Sequence, residues 1–486
     1  MLFNSFAFFI FLPIVFILYW KAFDKNIRLQ NIFVIIVSYI FYGWWDWRFL
    51  FLIAFTSGCS YLDGILIKHY LNQGKTTTAT AFSVANIVIN LAILGVFKYY
   101  NFFAENLQSS LQFFNYQLDY PSLKIILPVG ISFYTFQALS YTIDVRRNKI
   151  EPTRDPFAFF AYVCFFPQLV AGPIERATNL LPQFLSKRSF NYDVAVDGCR
   201  QMLWGFFKKI VIADNCAYYA NYAFGHHNEI SSLTLLLGAL FFTFQIYGDF
   251  SGYSSIAIGC AKLFGIRLQP NFKVPYFSRD VAEFWKRWHI SLNKWFVDYV
   301  YIPLGGSRVS KIKIVRNIFV IFLLSGLWHG ANWTYIAWGF YHACLFLPLI
   351  LLNKNHKYSE GFQKDKMFPS LADLGHMLVT FILVMFGWIL FRADTITQAY
   401  EYVVNLFNFN THYDFGMRKR DAIMLIGMIV VTLLVEWWNR NEEHEFKKII
   451  PVSYIRTAVY ALLIASIYIS FMMLIDEDNI FIYFQF

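Results

Sequence analysis

Apolar runs long enough to approach a bilayer crossing alternate along this chain with short stretches rich in lysine and arginine. A helix needs about 20 apolar residues to cross the hydrocarbon core, and basic residues collect in cytoplasmic turns, so the pattern predicts spans and their direction. The first run ends at Lys21, Lys25 and Arg28, which places the N-terminus outside. Runs from Ile32 to Trp44 and Phe49 to Ile67 return to Lys68 and Lys75, and a pair from Ala79 to Phe97 and Ile125 to Val145 returns to Arg146, Arg147, Lys149 and Arg154. Later runs cover Leu374 to Phe391, Ile423 to Trp438 and Thr457 to Leu474. There parity puts Arg418, Lys419 and Arg420 outside, which marks one crossing near the C-terminus as miscounted.

Three stretches interrupt this alternation. "FAFFAYVCFFPQLVAGPIERA" lies between the basic clusters of Arg154 and Arg176 and carries Pro167, Gly172 and Pro173, so it is expected to be re-entrant and to line a cavity. "VPYFSRDVAEFWKRWHISLNKWFVDYVYIPLGGSR" has basic residues before, within and after it, Arg287 among them. With Trp285, Trp288 and Trp295 spaced along one face, it reads as an amphipathic helix at the cytoplasmic interface, with His289 near the aromatic side. Lastly, the chain runs apolar from Arg316 to Trp328, then "HGAN", then apolar again to Asn353. A first arm of about a dozen residues would rise only about 18 Å against a core of about 30 Å, which puts a helix break, and His329, inside the membrane. The expected architecture is an all-α polytopic membrane protein, a single domain over residues 1–486, with about 10–13 spanning and re-entrant helices around a cavity.

Composition fixes the solvent. Hydrophobic residues make up 57% of the 486 and charged residues 15%, against roughly 25% charged in a soluble protein. No charged, mixed stretch between the apolar runs is long enough to bury a core of its own. The net charge of +10 is scattered over short loops, as positive-inside topology requires, and does not point to nucleic acid. Six cysteines without a CxxC pair imply neither a disulfide framework nor a zinc site. The N-terminal segment lacks a basic n-region and a cleavage pattern, so it reads as a retained first helix.

Without P-loop, nucleophile-elbow or HExxH patterns, the chemistry falls to isolated polar residues at membrane depth. His329 is the foremost, because an ionisable group there is costly and hence a functional candidate; the plainer reading is a neutral histidine satisfied by a backbone carbonyl. Burial disfavours an imidazolium, and a neutral imidazole can accept a proton as a general base. Asp249, in "FQIYGDFSGYSSIAIG", either braces a helix break at the neighbouring glycines or binds substrate. No carboxylate lies near His329 or His342 in sequence, so no metal site is expected.

"LPVGISFYTFQALSYTIDV", "FFPQLVAGPIERA", "VAEFWKRWHISLNKWFVDYVYIPLGG", "SGLWHGANWTYIAWGFYHA", "GWILFRA" and the terminal "FIYFQF" resemble, in order along nearly the whole chain, the membrane-bound O-acyltransferase family. The likeness is closest to its bacterial branch, which handles alginate O-acetylation and teichoic-acid D-alanylation. It implies that fold, a bacterial inner-membrane location, His329 as catalytic histidine and His289 as the second one on a cytoplasmic-side segment. It implies an acyl thioester donor, acetyl-CoA or an acyl carrier protein, and transfer to a hydroxyl of an extracytoplasmic polysaccharide, with membrane lipids and a periplasmic SGNH-type acetyltransferase as partners. Asp249, Trp285, Arg287, Trp328 and Asn332 are the expected substrate contacts. The Asn332 amide, the Trp328 indole or a backbone N–H at the helix break would face the developing oxyanion. Direct transfer and a covalent acyl-histidine both stay open, as do a proton-coupled transporter and a scaffold for a secreted modifying enzyme.

Overall fold

The computed structural model describes residues 1–116, 123, 126–169, 172–358, 367–414, 419–448 and 450–473. Every regular element among them is helical. Among the described residues eight helices are long and apolar enough to cross a membrane: Phe49–Asn72, Thr76–Gln112, Ser232–Leu263, Lys311–His329, Trp333–Leu351, Leu371–Arg392, Lys419–Trp438 and Ser453–Met473. Phe6–Lys21 and Ile27–Gly43 are apolar but shorter. The all-helical polytopic architecture read from the sequence is the one found. Ile125, Val170, Ala171, Arg418, Leu474 and the terminal "FIYFQF" lie outside the described residues.

The helices sort into two compact units. In the first, Met1–Gly198 with Ala257–Gln269, the helices Phe49–Asn72, Thr76–Leu94 and Ile131–Arg146 pack on one another. Ile131–Arg146 is buried almost throughout although it carries Thr135, Gln137, Ser140, Thr142 and Asp144. Polar side chains shielded from water need partners inside the bundle. Thr142 Oγ1 accordingly donates to Asn86 Oδ1 at 3.0 Å, and Asn86 Nδ2 donates to Ser60 Oγ at 3.2 Å. The segment expected to be re-entrant forms a nine-residue helix, Pro156–Cys164, capped by the Asp155 carboxylate, and a four-residue helix, Phe166–Leu169. Nine residues rise about 14 Å, too little to cross. The segment is buried from Val163 to Leu169, as irregular backbone inside a membrane protein must be.

The second unit, Cys199–Ile256 with Pro270–Phe486, contains the helical hairpin Lys311–His329 and Trp333–Leu351. Here the structure corrects the expectation of a short first arm. The helix begins at Lys311, not after Arg316, because the backbone of Ile314 already bonds to Ser310; its 19 residues rise about 28 Å. His329 therefore ends a span-length helix. The two arms touch at backbone level: a Cβ on Gly326 would lie 2.2 Å from the Tyr335 carbonyl oxygen, and one on Gly339 2.3 Å from that of Phe322.

The expected interfacial helix is corrected as well. It is broken into Val281–Arg287, Ile290–Phe296 and a π-helical turn, Val297–Tyr301. Trp285, Trp288 and Trp295 are all buried, so their spacing records packing and not an interfacial face. The sequence reading also passed over Ile396–Leu406, a short helix whose Ala399 and Tyr402 face inward while Ile396, Tyr400 and Val404 are exposed.

Candidate active site

His289 sits between two seven-residue helices, with φ 43° and ψ 54°. Left-handed backbone costs a non-glycine residue of the order of 1–3 kcal/mol and persists only where its surroundings over-determine it. They do so here. Asn293 Nδ2 donates to the carbonyls of Trp285 and Trp288 at 2.7 and 2.6 Å, and Ile290 N–H donates to Asn271 O at 2.8 Å. Ser291 Oγ adds a bond to Asn271 Oδ1 at 2.5 Å. The turn aims a fully buried imidazole at Phe250, 4.6 Å away edge to face, and at Trp328, 5.8 Å away. His289 lies outside the candidate spans, and burial pulls its pKa down to about 3, which keeps it neutral.

His329 is the last residue of the first hairpin arm and is 5% exposed. Its ring is enclosed by three aromatics: Trp328 at 4.9 Å, Trp338 at 5.2 Å and Phe391 at 5.2 Å. The turn that follows is pinned by Asn332, whose Oδ1 accepts from Thr334 N–H at 3.0 Å and whose Nδ2 donates to Asp394 O at 2.9 Å. Asn332 is thus a helix cap and a tether to the end of Leu371–Arg392, which leaves one amide hydrogen for any other task. One residue on, Trp333 is 51% exposed, so the buried imidazole lies close to the protein surface.

The other expected contacts fall into two places. Trp285 packs at 5.6 Å from Trp338 and 5.0 Å from His342, one ring removed from His329. Arg287 donates to Glu283 at 2.6 Å, and Arg279 bonds the same carboxylate at 3.0 Å. Asp249 forms an ion pair with Lys209 Nζ at 2.7 Å, and Lys209 donates to Asp214 Oδ1 at 2.7 Å as well. This buried triad forms where Phe207–Ala213, a π-helical stretch, crosses Ser232–Leu263. Gly205 and Gly252 permit the crossing, since a Cβ on either would lie 2.7 Å from the other's carbonyl oxygen. Ser232–Leu263 runs unbroken through Asp249, so the expected helix break is not there to brace; the carboxylate instead ties this helix to Phe207–Ala213 through Lys209, and its neighbour Phe250 is the residue that touches His289.

Sequence reasoning missed Lys209 and passed over His342. The adjacent lysines in "GFFKKIVIAD" were a legible signal, being two cations inside an apolar run. His342 was weighed only as a metal ligand, yet it is fully buried, four residues after Trp338 on the same helix face, with their rings 5.1 Å apart. Among the described residues no group of three or more His, Cys, Asp or Glu side chains is placed to hold a metal ion.

A family model described as the membrane-bound O-acyltransferase family matches residues 147–357, which include both His289 and His329. The chain is 38% identical over 438 residues to a Pseudomonas aeruginosa protein named "Probable alginate O-acetylase", covering 90% of this chain and 80% of that one. It is 30% identical over 536 aligned residues to the peptidoglycan O-acetyltransferase of Helicobacter pylori, covering 100% and 98%. A teichoic acid D-alanyltransferase of Bacillus subtilis is 30% identical over 288 residues, covering 57% and 71%. Likeness that runs nearly end to end through two such relatives leaves one assignment: this chain belongs to the membrane-bound O-acyltransferase family and is an acyl-transferring enzyme built into a membrane.

Proposed function

We propose that this enzyme moves an acetyl group from a thioester on the cytoplasmic side of the bacterial inner membrane to a hydroxyl of an extracytoplasmic polysaccharide. The observation that carries the reading is coverage: the O-acetyl-transferring relatives match 90–100% of the chain, and the D-alanyl-transferring one 57%. Acetyl-CoA is the donor taken here, with an acyl carrier protein as the alternative that the D-alanyl relative keeps open. A periplasmic SGNH-type acetyltransferase would complete delivery where the glycan is modified in two steps.

His329 is the general base in this reading. Its neutral imidazole takes the proton of the sugar hydroxyl as that oxygen attacks the acetyl carbonyl; the C–S bond then breaks and the proton leaves with the thiolate as a thiol. Donors facing the carbonyl oxygen hold the intermediate charge, and the N–H of the Trp328 indole, whose ring packs on both histidines, is the candidate. His289 orients the donor, and Trp285 and Arg287 shape its approach. Asp249 acts at one remove, by fixing Phe250. Asn332 holds the turn that carries His329.

The reading is tested with purified enzyme in proteoliposomes given acetyl-CoA labelled in the acetyl group and an oligosaccharide acceptor. Label should pass to the acceptor, at a rate unchanged by chelators and abolished in His329→Ala. Transfer only from a carrier protein would replace the donor, and uptake of label without ester formation would favour transport.

A further inference from the structure

In the first unit a buried guanidinium has no acid to answer it among the described residues. Arg188, 6% exposed, follows the helix Ala177–Leu185 and reaches the first turn of Ile27–Gly43. Its Nε donates to Gln30 Oε1 at 3.0 Å and its Nη2 to Asn31 Oδ1 at 2.6 Å. The rings of Phe184 and Tyr19 face it at 5.3 and 5.7 Å. Its partners among the described residues are two neutral amides and two rings, and burial lowers its pKa, opposed only by the Tyr19 hydroxyl. A charge taken out of water costs several kcal/mol unless an opposite charge and hydrogen bonds answer it.

Two donors at the same spot also have no acceptor among the described residues: Arg188 Nη1 and Gln30 Nε2. Turning the Gln30 amide over would not cure this, because its oxygen is held by Arg188 Nε. Asn31 is fixed in the same way, its Nδ2 donating to Phe184 O at 2.9 Å. The site therefore holds one full positive charge and two unanswered N–H donors. An anion that only accepts hydrogen bonds would satisfy all three.

The surroundings narrow its class. Exposed Lys21, Arg28 and Lys187 add positive charge, and Arg267 joins through Gln183, which accepts its backbone N–H at 2.9 Å. Between these cations Leu29, Leu185 and Phe190 are each nearly half exposed. Cations interleaved with exposed apolar side chains suit a phosphate that carries acyl chains. Lys187 and Ser189, on either side of Arg188 in the chain, are exposed. We propose that Arg188 and Gln30 bind a phosphate oxyanion, and that its source is the headgroup of an anionic phospholipid.

The full-length enzyme, delipidated in detergent and returned to nanodiscs, tests this. The readout is the shift in melting temperature between phosphatidylglycerol and phosphatidylcholine, measured within each variant so that altered basal stability cancels. Wild type and Arg308→Gln, an exposed arginine elsewhere, should be stabilised by phosphatidylglycerol. Arg188→Gln should lose that increment and bind the lipid about tenfold or more weakly, the scale of a lost charge-assisted hydrogen bond. Gln30→Leu, which keeps the guanidinium, should lose part of it, and it carries the test should Arg188→Gln fail to fold. Separate arms add inorganic phosphate or coenzyme A to phosphatidylcholine nanodiscs. Stabilisation there that needs Arg188, with no gain from phosphatidylglycerol, overturns the lipid source and upholds the phosphate chemistry. Equal shifts for wild type and Arg188→Gln in every arm overturn the site.

Discussion

Trp328 meets His289 edge to face, with 5.8 Å between ring centroids and 67° between planes. The same indole stands 4.9 Å from His329, so imidazoles from two separate elements share one aromatic wall. Trp328→Phe keeps a ring there and removes the indole N–H. If that N–H faces the oxyanion, the variant should elute as wild type on gel filtration and lose about 10²-fold in turnover. Turnover near wild type would assign the oxyanion to backbone donors of the turn.

The two histidines should separate kinetically. His329→Ala should lower turnover by about 10²–10⁴-fold, the range for loss of a general base, with donor affinity nearly intact. His289→Ala should mainly weaken donor binding and lower turnover only in part. Equilibrium binding of labelled acetyl-CoA alongside single-turnover kinetics distinguishes them, and interchanged phenotypes would reverse the assignment.

Acid should find His289. Its folded pKa of about 3 lies below the roughly 6.5 of an unfolded histidine, so between those values the unfolded chain binds the extra proton. The contribution to stability is complete above about pH 6.5 and declines as pH falls toward 3, by about 1.4 kcal/mol per unit. At pH 5 wild type should have lost about 2 kcal/mol that His289→Gln does not lose. Thermal unfolding in detergent at pH 5 and 7.5 reads the difference; parallel pH dependence would contradict a neutral, buried His289.

Lys209 sits between Asp214 and Asp249 at 2.7 Å from each. Lys209→Met strands two buried carboxylates and should destabilise the fold by about 3–5 kcal/mol. Adding Asp249→Asn should recover part of that loss, and a double-mutant cycle measures the coupling. Additive losses would mean that the pair braces nothing.

Cysteines placed singly at Arg154 and Arg176, in a cysteine-free background, should both resist an impermeant thiol reagent added outside intact cells. The short helices between them, Pro156–Cys164 and Phe166–Leu169, do not have the length to carry the chain across. Labelling at one position alone would require a crossing.

The spans were legible because hydrophobic length is a property each segment carries by itself: Leu374 to Phe391 lies within Leu371–Arg392, and Ile423 to Trp438 within Lys419–Trp438. The break at His329 was legible for the same local reason, a Gly-Ala-Asn interruption between two apolar arms. What escaped depends on contacts distant in sequence. The left-handed turn at His289 is imposed by Asn271 and Asn293, and the buried Trp288 gives no sequence cue that separates it from an interfacial tryptophan. Lys208 and Lys209 stand out in an apolar run, but the pairing of Lys209 with Asp249, distant in sequence, depends on the close approach of two glycines.

The hairpin's glycines carry a further implication. Gly326 lies three residues before His329, and Gly339 directly follows Trp338, whose ring packs on that histidine. With the opposing backbones already touching at both points, the arms are geared together like the jaws of a caliper, and neither can slide without lifting off the other. A single methyl at residue 326 or 339 would therefore reset the spacing of the jaws and shift the imidazole that they hold.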